Sequence, residues 1–346
     1  MISYRTKQLL RNLFITLLVL ILLAVVFLAC WLLWLNRYVI YTPDGAKLDF
    51  NLNVEFSPGL APSAPGPAPS VNIHFNETDQ NQQFPKELTR FSGYTVTAQE
   101  LKEDFDTVYN QLMALPEGST IALQVKDLKG FFYYSSTLGR QSNDVSITKV
   151  EDLITELKAK GHYLIARFPA FQDYYYFLDD EAGRVPYGLA LDGGNGSLWL
   201  DRSFGCYWFN PASDGTVSYL IQIVMELRQK GFQEVLLEDF RFPKTSMIKF
   251  DPDDQPEALA KAAAAIVKSC GSDSFAISFG RKDTSLTMPE GRCRLFITDA
   301  VAADIALLAQ QVTLPTPDAQ LGFLTELHDT RFDEYCVLRP LSAAQE

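Results

Sequence analysis

Apolar and polar positions follow a strand–helix rhythm along most of the chain, beginning near Gly93. Tyr94–Thr97 predicts a short strand, and Thr97 with Glu100 forms the capping-box pattern that starts a helix. The apolar face of that helix has helical spacing and comprises Leu101, Phe105, Val108 and Leu112. A second strand is predicted at Thr120–Val125, which completes a strand–helix–strand unit.

The same unit recurs twice within the next 120 or so residues. A helix predicted to start at the Thr148–Glu151 capping pattern ends in Glu156–Gly161, and this ending is echoed by Glu226–Gly231. Each ending precedes an apolar strand, His162–Phe168 and Glu234–Phe240 respectively. The repetition indicates parallel strands joined by crossover helices.

A further helix, Glu257–Ser269, ends at Gly271 and precedes the strand Phe275–Phe279. About 250 residues of this pattern favour an α/β fold of the (β/α)8 TIM type over an open sheet. No GxGxxG motif or P-loop follows any of the predicted strands, which weakens a nucleotide-binding interpretation.

The N-terminal segment has a different composition. Leu13–Leu35 is an uncharged run of 23 residues, long enough for a helix to span a bilayer. Three basic residues precede it and only Arg37 follows closely, so the charge bias places the N-terminus in the cytoplasm. A cleaved signal peptide is the alternative, but the run is too long and no Ala-x-Ala follows it. We therefore expect a single-pass membrane protein whose C-terminal domain is extracytoplasmic.

Composition changes suggest four regions. Residues 1–37 form the cytoplasmic tail and transmembrane anchor, and residues 38–56 a short extracytoplasmic β segment with alternating polarity. Residues 57–70 are rich in Pro, Ala and Ser and predict an extended linker. Residues 71–346 then form the barrel domain.

Charge and cysteine content exclude some functions. The formal net charge is −12 and the pI is about 4.8, which argues against a nucleic-acid partner. The spacing of the cysteines outside the predicted anchor does not match a zinc site; they are Cys206, Cys270, Cys293 and Cys336. Two interpretations stay open: one or two disulfides, or scattered buried thiols. With three histidines in the chain, a histidine-rich metal site is not expected. No cofactor is expected either.

Polar residues cluster where the predicted strands end, which is where barrels of this type place their sites. Glycoside hydrolysis requires two carboxyl groups, and aromatic rings nearby could stack on sugars. The carboxylates that we predict as catalytic are Glu238, Asp239, Asp127 and Asp201. The residues predicted to bind substrate are Lys126, Arg167, Asp173, Trp208, Asn210 and Arg241.

Four ordered motifs then make the chain recognisable: Ile121–Asp127 with Gly130 and Tyr134-Ser135, Ile165–Asp173, Trp199–Arg202 with Trp208–Pro211, and Phe232–Pro243. Together they resemble a bacterial family of glycosyl hydrolase domains, which are glycoside-hydrolase-like TIM barrels, often attached to membranes. The resemblance implies a polysaccharide or cell-wall glycan as the partner.

The chain departs from the family pattern at two carboxylate positions. Glu238 stands where the family has Asp, and Gln124 replaces the Asp of the first motif. Beyond Phe250 the pattern fades, so we expect the barrel to be incomplete or degenerate in its C-terminal part. Two functions therefore stay open. The first is a membrane-anchored glycoside hydrolase, and the alternative is a catalytically degenerate barrel that binds carbohydrate or protein at the cell envelope.

Overall fold

The computed structural model describes residues 39–42, 45–48, 87–175, 186–187, 200–245 and 252–345. The predicted anchor, Leu13–Leu35, and the predicted linker, residues 57–70, lie outside these ranges. Within the described ranges, the helices are all too short or too polar to cross a membrane. In the N-terminal unit, Val39–Thr42 and Gly45–Leu48 pair as an antiparallel hairpin.

Eight parallel strands of the C-terminal unit close into a barrel, in the order in which they occur along the chain. They are β1 Ser92–Val96, β2 Thr120–Gln124, β3 Tyr163–Pro169, β4 Glu234–Glu238, β5 Ala276–Arg281, β6 Cys293–Thr298, β7 Leu321–Leu324 and β8 Cys336–Pro340. Pairing of β8 with β1, at Val337 and Ser92, completes the ring. The predicted TIM-like barrel is confirmed.

The helices pack around this ring. They are α1 Ala98–Glu103, α2 Phe105–Ala114, α3 Ile147–Ala159, α4 Asp214–Gln229, α5 Gln255–Cys270, α6 Ile305–Gln311 and α7 Pro317–Gln320. The connection of residues 282–292 between β5 and β6, all of it described, contains no helix, and a short 3-10 turn, Thr330–Glu334, joins β7 to β8. The expected degeneracy of the C-terminal part is therefore seen in the helices, whereas the sheet is complete.

Two helix starts differ from the sequence prediction. Asp104 ends α1, and its side chain accepts a hydrogen bond from the backbone N–H of Thr107 at 3.0 Å, so the predicted single helix is two. The capping box of Thr97 and Glu100 is present as predicted. At α3, however, Ser146 and not Thr148 is the N-cap, because its hydroxyl accepts from the N–H of Lys149.

Alternate residues of each strand face the barrel interior, as the two-residue period of a strand requires. Leu164, Ala166 and Phe168 of β3 pack outward in the large helix-facing core. Tyr163 and Ile165 belong to a separate cluster inside the barrel. The same period places the upper residue of β3, Arg167, on the inward side of the mouth.

The N-terminal end of the interior is filled by a buried polar network. Glu234 is fully buried and forms an ion pair with Arg294, accepts a hydrogen bond from Ser278, and accepts one from the Tyr163 hydroxyl at 2.9 Å. Phe91 covers the Arg294 guanidinium, with its ring centroid 4.8 Å from Cζ. Within the part of the chain that the structure describes, these side chains fill the lower end of the barrel interior.

Candidate functional site

A cleft of about 730 Å³ occupies the mouth of the barrel at the carboxyl ends of the strands. Its walls come from β1, β3, β4, β6, β7 and β8, from the start of α1 and from the loops after β6 and β7. The polar and charged residues that line it are Thr95, Thr97, Glu100, Arg167, Glu238, Thr298, Asp299, Thr325 and Glu326. This is the position at which barrels of this fold carry their active sites.

Two of the predicted site residues meet on the floor of this cleft. Arg167 Nη2 lies 2.7 Å from Glu238 Oε1, and the two side chains are 13% and 18% exposed. The Glu238 carbonyl accepts a hydrogen bond from the backbone N–H of Ala170 at 2.8 Å, which fixes the strand end. Beside it, a Cβ on Gly280 would lie 3.2 Å from the Glu238 Cα, so glycine keeps the neighbouring strand close. Glu238 is therefore held in one place and accessible from the cleft.

Three further carboxylates line the cleft, and the sequence analysis did not assign any of them to a site. Glu100 is held by its capping box, accepting from the Thr97 backbone N–H at 2.6 Å. Asp299 lies 2.5 Å from Lys282 Nζ. Glu326 is exposed. Asp299 and Glu326 follow β6 and β7, two strands that the hydrophobic pattern did not reveal.

Asp239, predicted as catalytic, turns away from this lining. Its backbone has φ +48, a left-handed conformation that Asp tolerates better than most residues. Its carboxylate lies 3.2 Å from Arg241 Nε. The Arg241 guanidinium stacks over the Trp208 ring at 4.9 Å, and Trp208 Nε1 donates to Asp201 Oδ2 at 3.0 Å. These four predicted residues thus form one chain of contacts that joins the β3–α4 and β4–α5 loops.

Three predicted residues organise the loops after β2 and β3. Lys126 Nζ lies 2.8 Å from Asp173 Oδ2, and both side chains are buried. Asp127 accepts hydrogen bonds from the backbone N–H groups of Lys129 and Phe131, both at 3.0 Å. None of the three is among the described residues that line the mouth cleft. Their predicted contact with substrate stays a prediction.

Other motif residues also have local partners. Asn210 accepts from the backbone N–H of Ala212 at 2.9 Å and shapes the turn before α4. Gln124, which stands at a family Asp position, accepts from the N–H of Ala98 at 2.9 Å and so caps α1. Tyr134 donates to Glu226 of α4 at 3.1 Å. Each of these contacts gives its residue a structural role.

The four cysteines of the barrel are free and buried: Cys206, Cys270, Cys293 and Cys336. Burial raises the pKa of Cys206 and of Cys270 to about 12, and that of Cys293 to about 11. Thiols in this state are poor nucleophiles. In the part of the chain that the structure describes, no group of three or more His, Cys, Asp or Glu residues is arranged to hold a metal ion.

The chemical capacity of the cleft lies in its carboxylates. Glu238 has the position of a nucleophile or base at the end of a barrel strand, and Arg167 fixes its orientation. Additional carboxyl groups open into the same space, so that a bond held between them could be attacked from one side and protonated from another.

Solved structures with a similar fold include several glycoside hydrolases. Ega3 of Aspergillus fumigatus, solved with galactosamine, has a TM-score of 0.42 at 9% identity and covers 75% of this chain and 94% of its own. The glycoside hydrolase domain of PelA from Pseudomonas aeruginosa has a TM-score of 0.40 at 12% identity, with coverage of 69% and 83%. The α-galactosidase of Thermus thermophilus, solved with stachyose, has a TM-score of 0.47 at 10% identity, with coverage of 75% and 63%.

A comparison with curated proteins found no significant match. The comparison with protein families is more specific than the comparisons with solved structures and with curated proteins. Residues 94–271, just over half of the chain, match the family described as "Putative glycosyl hydrolase domain". This range contains all four motifs that carry the resemblance, together with most of β1, all of β2 to β4 and the Arg167–Glu238 pair. The protein belongs to this glycosyl hydrolase domain family.

Proposed function

We propose that this protein is a membrane-anchored, extracytoplasmic glycoside hydrolase that acts on cell-wall or exopolysaccharide glycans. The observation that carries the proposal is the Glu238 carboxylate on the floor of an open cleft at the carboxyl mouth of the barrel. Family membership supports the reaction class. The uncharged run Leu13–Leu35 supports the anchor, and a surface glycan is the substrate that an anchored outer domain can reach.

In this proposal Glu238 acts at the anomeric carbon as the nucleophile or base. Arg167 holds the carboxylate in position and can donate hydrogen bonds to sugar hydroxyls. The sequence analysis named Asp127, Asp201 and Asp239 as candidate second carboxyl groups, but each is engaged within a loop outside the cleft lining.

A second candidate is a barrel that binds glycans without hydrolysing them. It is favoured by Gln124, which replaces a family Asp and whose side-chain oxygen accepts the hydrogen bond that caps α1. An amide at this position cannot act as a base. The cleft and its polar lining would then serve recognition alone.

The test compares hydrolysis by the full-length chain with that by the Glu238→Gln variant, both purified in detergent. The substrates are peptidoglycan sacculi and bacterial exopolysaccharides, and the readouts are new reducing ends and the masses of released fragments. We expect the variant to lose activity by about 100-fold or more. Glu117→Gln makes the same change on an exposed loop before β2, at the opposite end of the barrel, and should retain activity.

Undiminished release by Glu238→Gln would refute the catalytic role of Glu238. Binding of sacculi without any release of fragments by the unmodified chain would favour the second candidate. The location is tested separately, by adding protease to intact spheroplasts of cells that produce the full chain. Digestion of the barrel without lysis supports an extracytoplasmic domain, whereas protection until lysis contradicts it.

A further inference from the structure

We propose that Glu326 is the second carboxyl group of the site and donates the proton to the glycosidic oxygen that leaves. The inference rests on the proposed hydrolase function and assigns a residue that the family match does not reach, because that match ends at residue 271. Glu326 lies in the loop after β7 and lines the same cleft as Glu238.

The first argument is the state of the four carboxylates that line the cleft. Glu238 is paired with Arg167, Asp299 with Lys282, and Glu100 with the backbone of Thr97. Among the residues that the structure describes, Glu326 alone of these four carboxylates has no hydrogen-bond or ion-pair partner. A general acid must have its oxygen available to the substrate, and Glu326 meets this requirement.

The second argument is that the loop carrying Glu326 is fixed while its side chain is not. The Thr325 backbone N–H donates to the Leu338 carbonyl at 3.1 Å. On the other side, the Leu327 carbonyl accepts from Arg339 Nε at 3.2 Å, and the Leu327 N–H donates to Thr325 Oγ1 at 3.0 Å. The backbone on both sides of Glu326 is thus tied to β8 or closed on itself. The backbone therefore holds Glu326 at the cleft and leaves its carboxyl group available to a substrate.

The third argument is the placement of the two carboxyl groups around the ring. Glu238 ends β4, and Glu326 follows β7, three strands away, so they approach the cleft from nearly opposite walls. Two carboxyl groups on either side of the scissile bond are what glycoside hydrolysis requires. Val301 and Leu327, 52% and 49% exposed, form apolar rims beside Glu326. A glycan covering these rims would exclude water from the space between the two carboxyl groups.

In the proposed step, Glu326 gives its proton to the glycosidic oxygen. The bond from that oxygen to the anomeric carbon breaks, the electron pair stays on the oxygen, and the leaving sugar departs as an alcohol. Glu238 takes a proton from the water whose oxygen bonds to the anomeric carbon. If Glu238 bonds to that carbon first, Glu326 instead takes the proton of the water that later releases the sugar. One water is consumed in either route. In the first route exchange of protons with solvent restores the two carboxyl groups, whereas in the second the proton from water returns to Glu326 and Glu238 is released as a carboxylate.

The experiment compares full-length Glu326→Gln with Glu238→Gln on two substrates. The first is peptidoglycan sacculi, whose sugar leaving group needs a proton. The second is a 2,4-dinitrophenyl glycoside, because a dinitrophenolate leaves without protonation. Its sugar is the one found at the new reducing end of the products that the unmodified chain releases from sacculi. We expect Glu326→Gln to lose about 100-fold or more on sacculi and less than about tenfold on the aryl glycoside. Glu238→Gln should lose both activities.

Glu334→Gln is the matched control, since Glu334 is exposed in the same β7–β8 connection but lies two residues before β8, at the amino end of the barrel. Its melting temperature and that of Glu326→Gln should equal that of the unmodified chain. Full activity of Glu326→Gln on sacculi, or equal losses on both substrates, overturns the assignment while leaving a hydrolase. Failure of the unmodified chain to cleave any glycan contradicts the proposed function, and with it this inference.

Discussion

Lys126 Nζ lies 2.8 Å from Asp173 Oδ2, and both side chains are at least 99% buried. The pair joins the loop after β2 to the loop after β3, both at the carboxyl face of the barrel. Removing one partner leaves a buried charge uncompensated, so Lys126→Met alone should cost about 3–5 kcal/mol of the free energy of unfolding. The double variant with Asp173→Asn should cost less than the sum of the single variants, as measured by urea unfolding. Additive losses would contradict the coupling of the two groups.

Gly322 on β7 leaves room for the ring of Phe296 on β6, because a Cβ at Gly322 would lie 2.4 Å from a carbon of that ring. Gly322→Ala should therefore destabilise the barrel by about 1–3 kcal/mol through overpacking. Phe296→Leu introduced into the same chain should relieve part of this loss. Thermal unfolding of the two single variants and the double variant measures the recovery, and a double variant no more stable than Gly322→Ala would refute the steric cause.

His162, at the start of β3, is 1% exposed. Burial lowers its pKa below the ordinary 6.5, with the Ser119 carbonyl opposing the shift and the charge of Lys160 adding to it. As the pH falls, His162 therefore binds a proton in the unfolded chain before it does so in the folded protein. The contribution of neutral His162 to the free energy of unfolding is present above about pH 6.5 and is lost at lower pH. His162→Gln should flatten the decline in stability between about pH 6.5 and 5, measured by urea unfolding. An unchanged decline in the His162→Gln variant would contradict this contribution of His162.

The start of α3 allows a direct comparison of two neighbouring hydroxyl residues. The Ser146 hydroxyl accepts from the N–H of Lys149, whereas Thr148 lies exposed within the first turn. Ser146→Ala should lower the free energy of unfolding by about 1 kcal/mol and Thr148→Ala by less than about 0.5 kcal/mol. If Thr148→Ala destabilised the protein more than Ser146→Ala in chemical denaturation, Thr148 would be the N-cap, as the sequence predicted.

The raised pKa values of Cys206, Cys270 and Cys293 predict that these thiols are protected from alkylation in the folded protein. Iodoacetamide at about pH 8 should modify them only after unfolding, as peptide mass spectrometry would reveal. Rapid modification of the native protein at any of the three would contradict the burial described here.

The first five strands could be predicted because each is an apolar run bounded by a glycine or a helix cap. The last three could not, for reasons visible in their residues. Arg294 interrupts the run of β6, and β7 has four residues, one of them Gly322. Arg294 is buried only because Glu234, 60 positions away, neutralises it inside the barrel. A contact of this kind cannot be inferred from local patterning.

Only the part of the candidate site that lies on recognisable strands could be predicted. Arg167 and Glu238 are at the ends of recognisable strands and do line the cleft. Glu326 follows a strand too short to recognise, so sequence reasoning could not place it there. Asp201 was predicted because it is a polar loop residue near aromatics. Its carboxylate accepts a hydrogen bond from Trp208 Nε1, and its catalytic role stays a prediction. Proximity in sequence to a strand end does not show whether a carboxylate is already engaged.

The filled lower end of the barrel limits how any long molecule can use it. Among the described residues, Glu234, Arg294 and Phe91 fill the lower end with paired charge and a ring, which leaves no channel between them for a polymer to pass through. Whatever enters the mouth must also leave by the mouth. A polymer would consequently have to lie across the opening or insert a free end and withdraw it. If the proposed hydrolysis follows insertion, the depth of the mouth would limit the length of the fragment released.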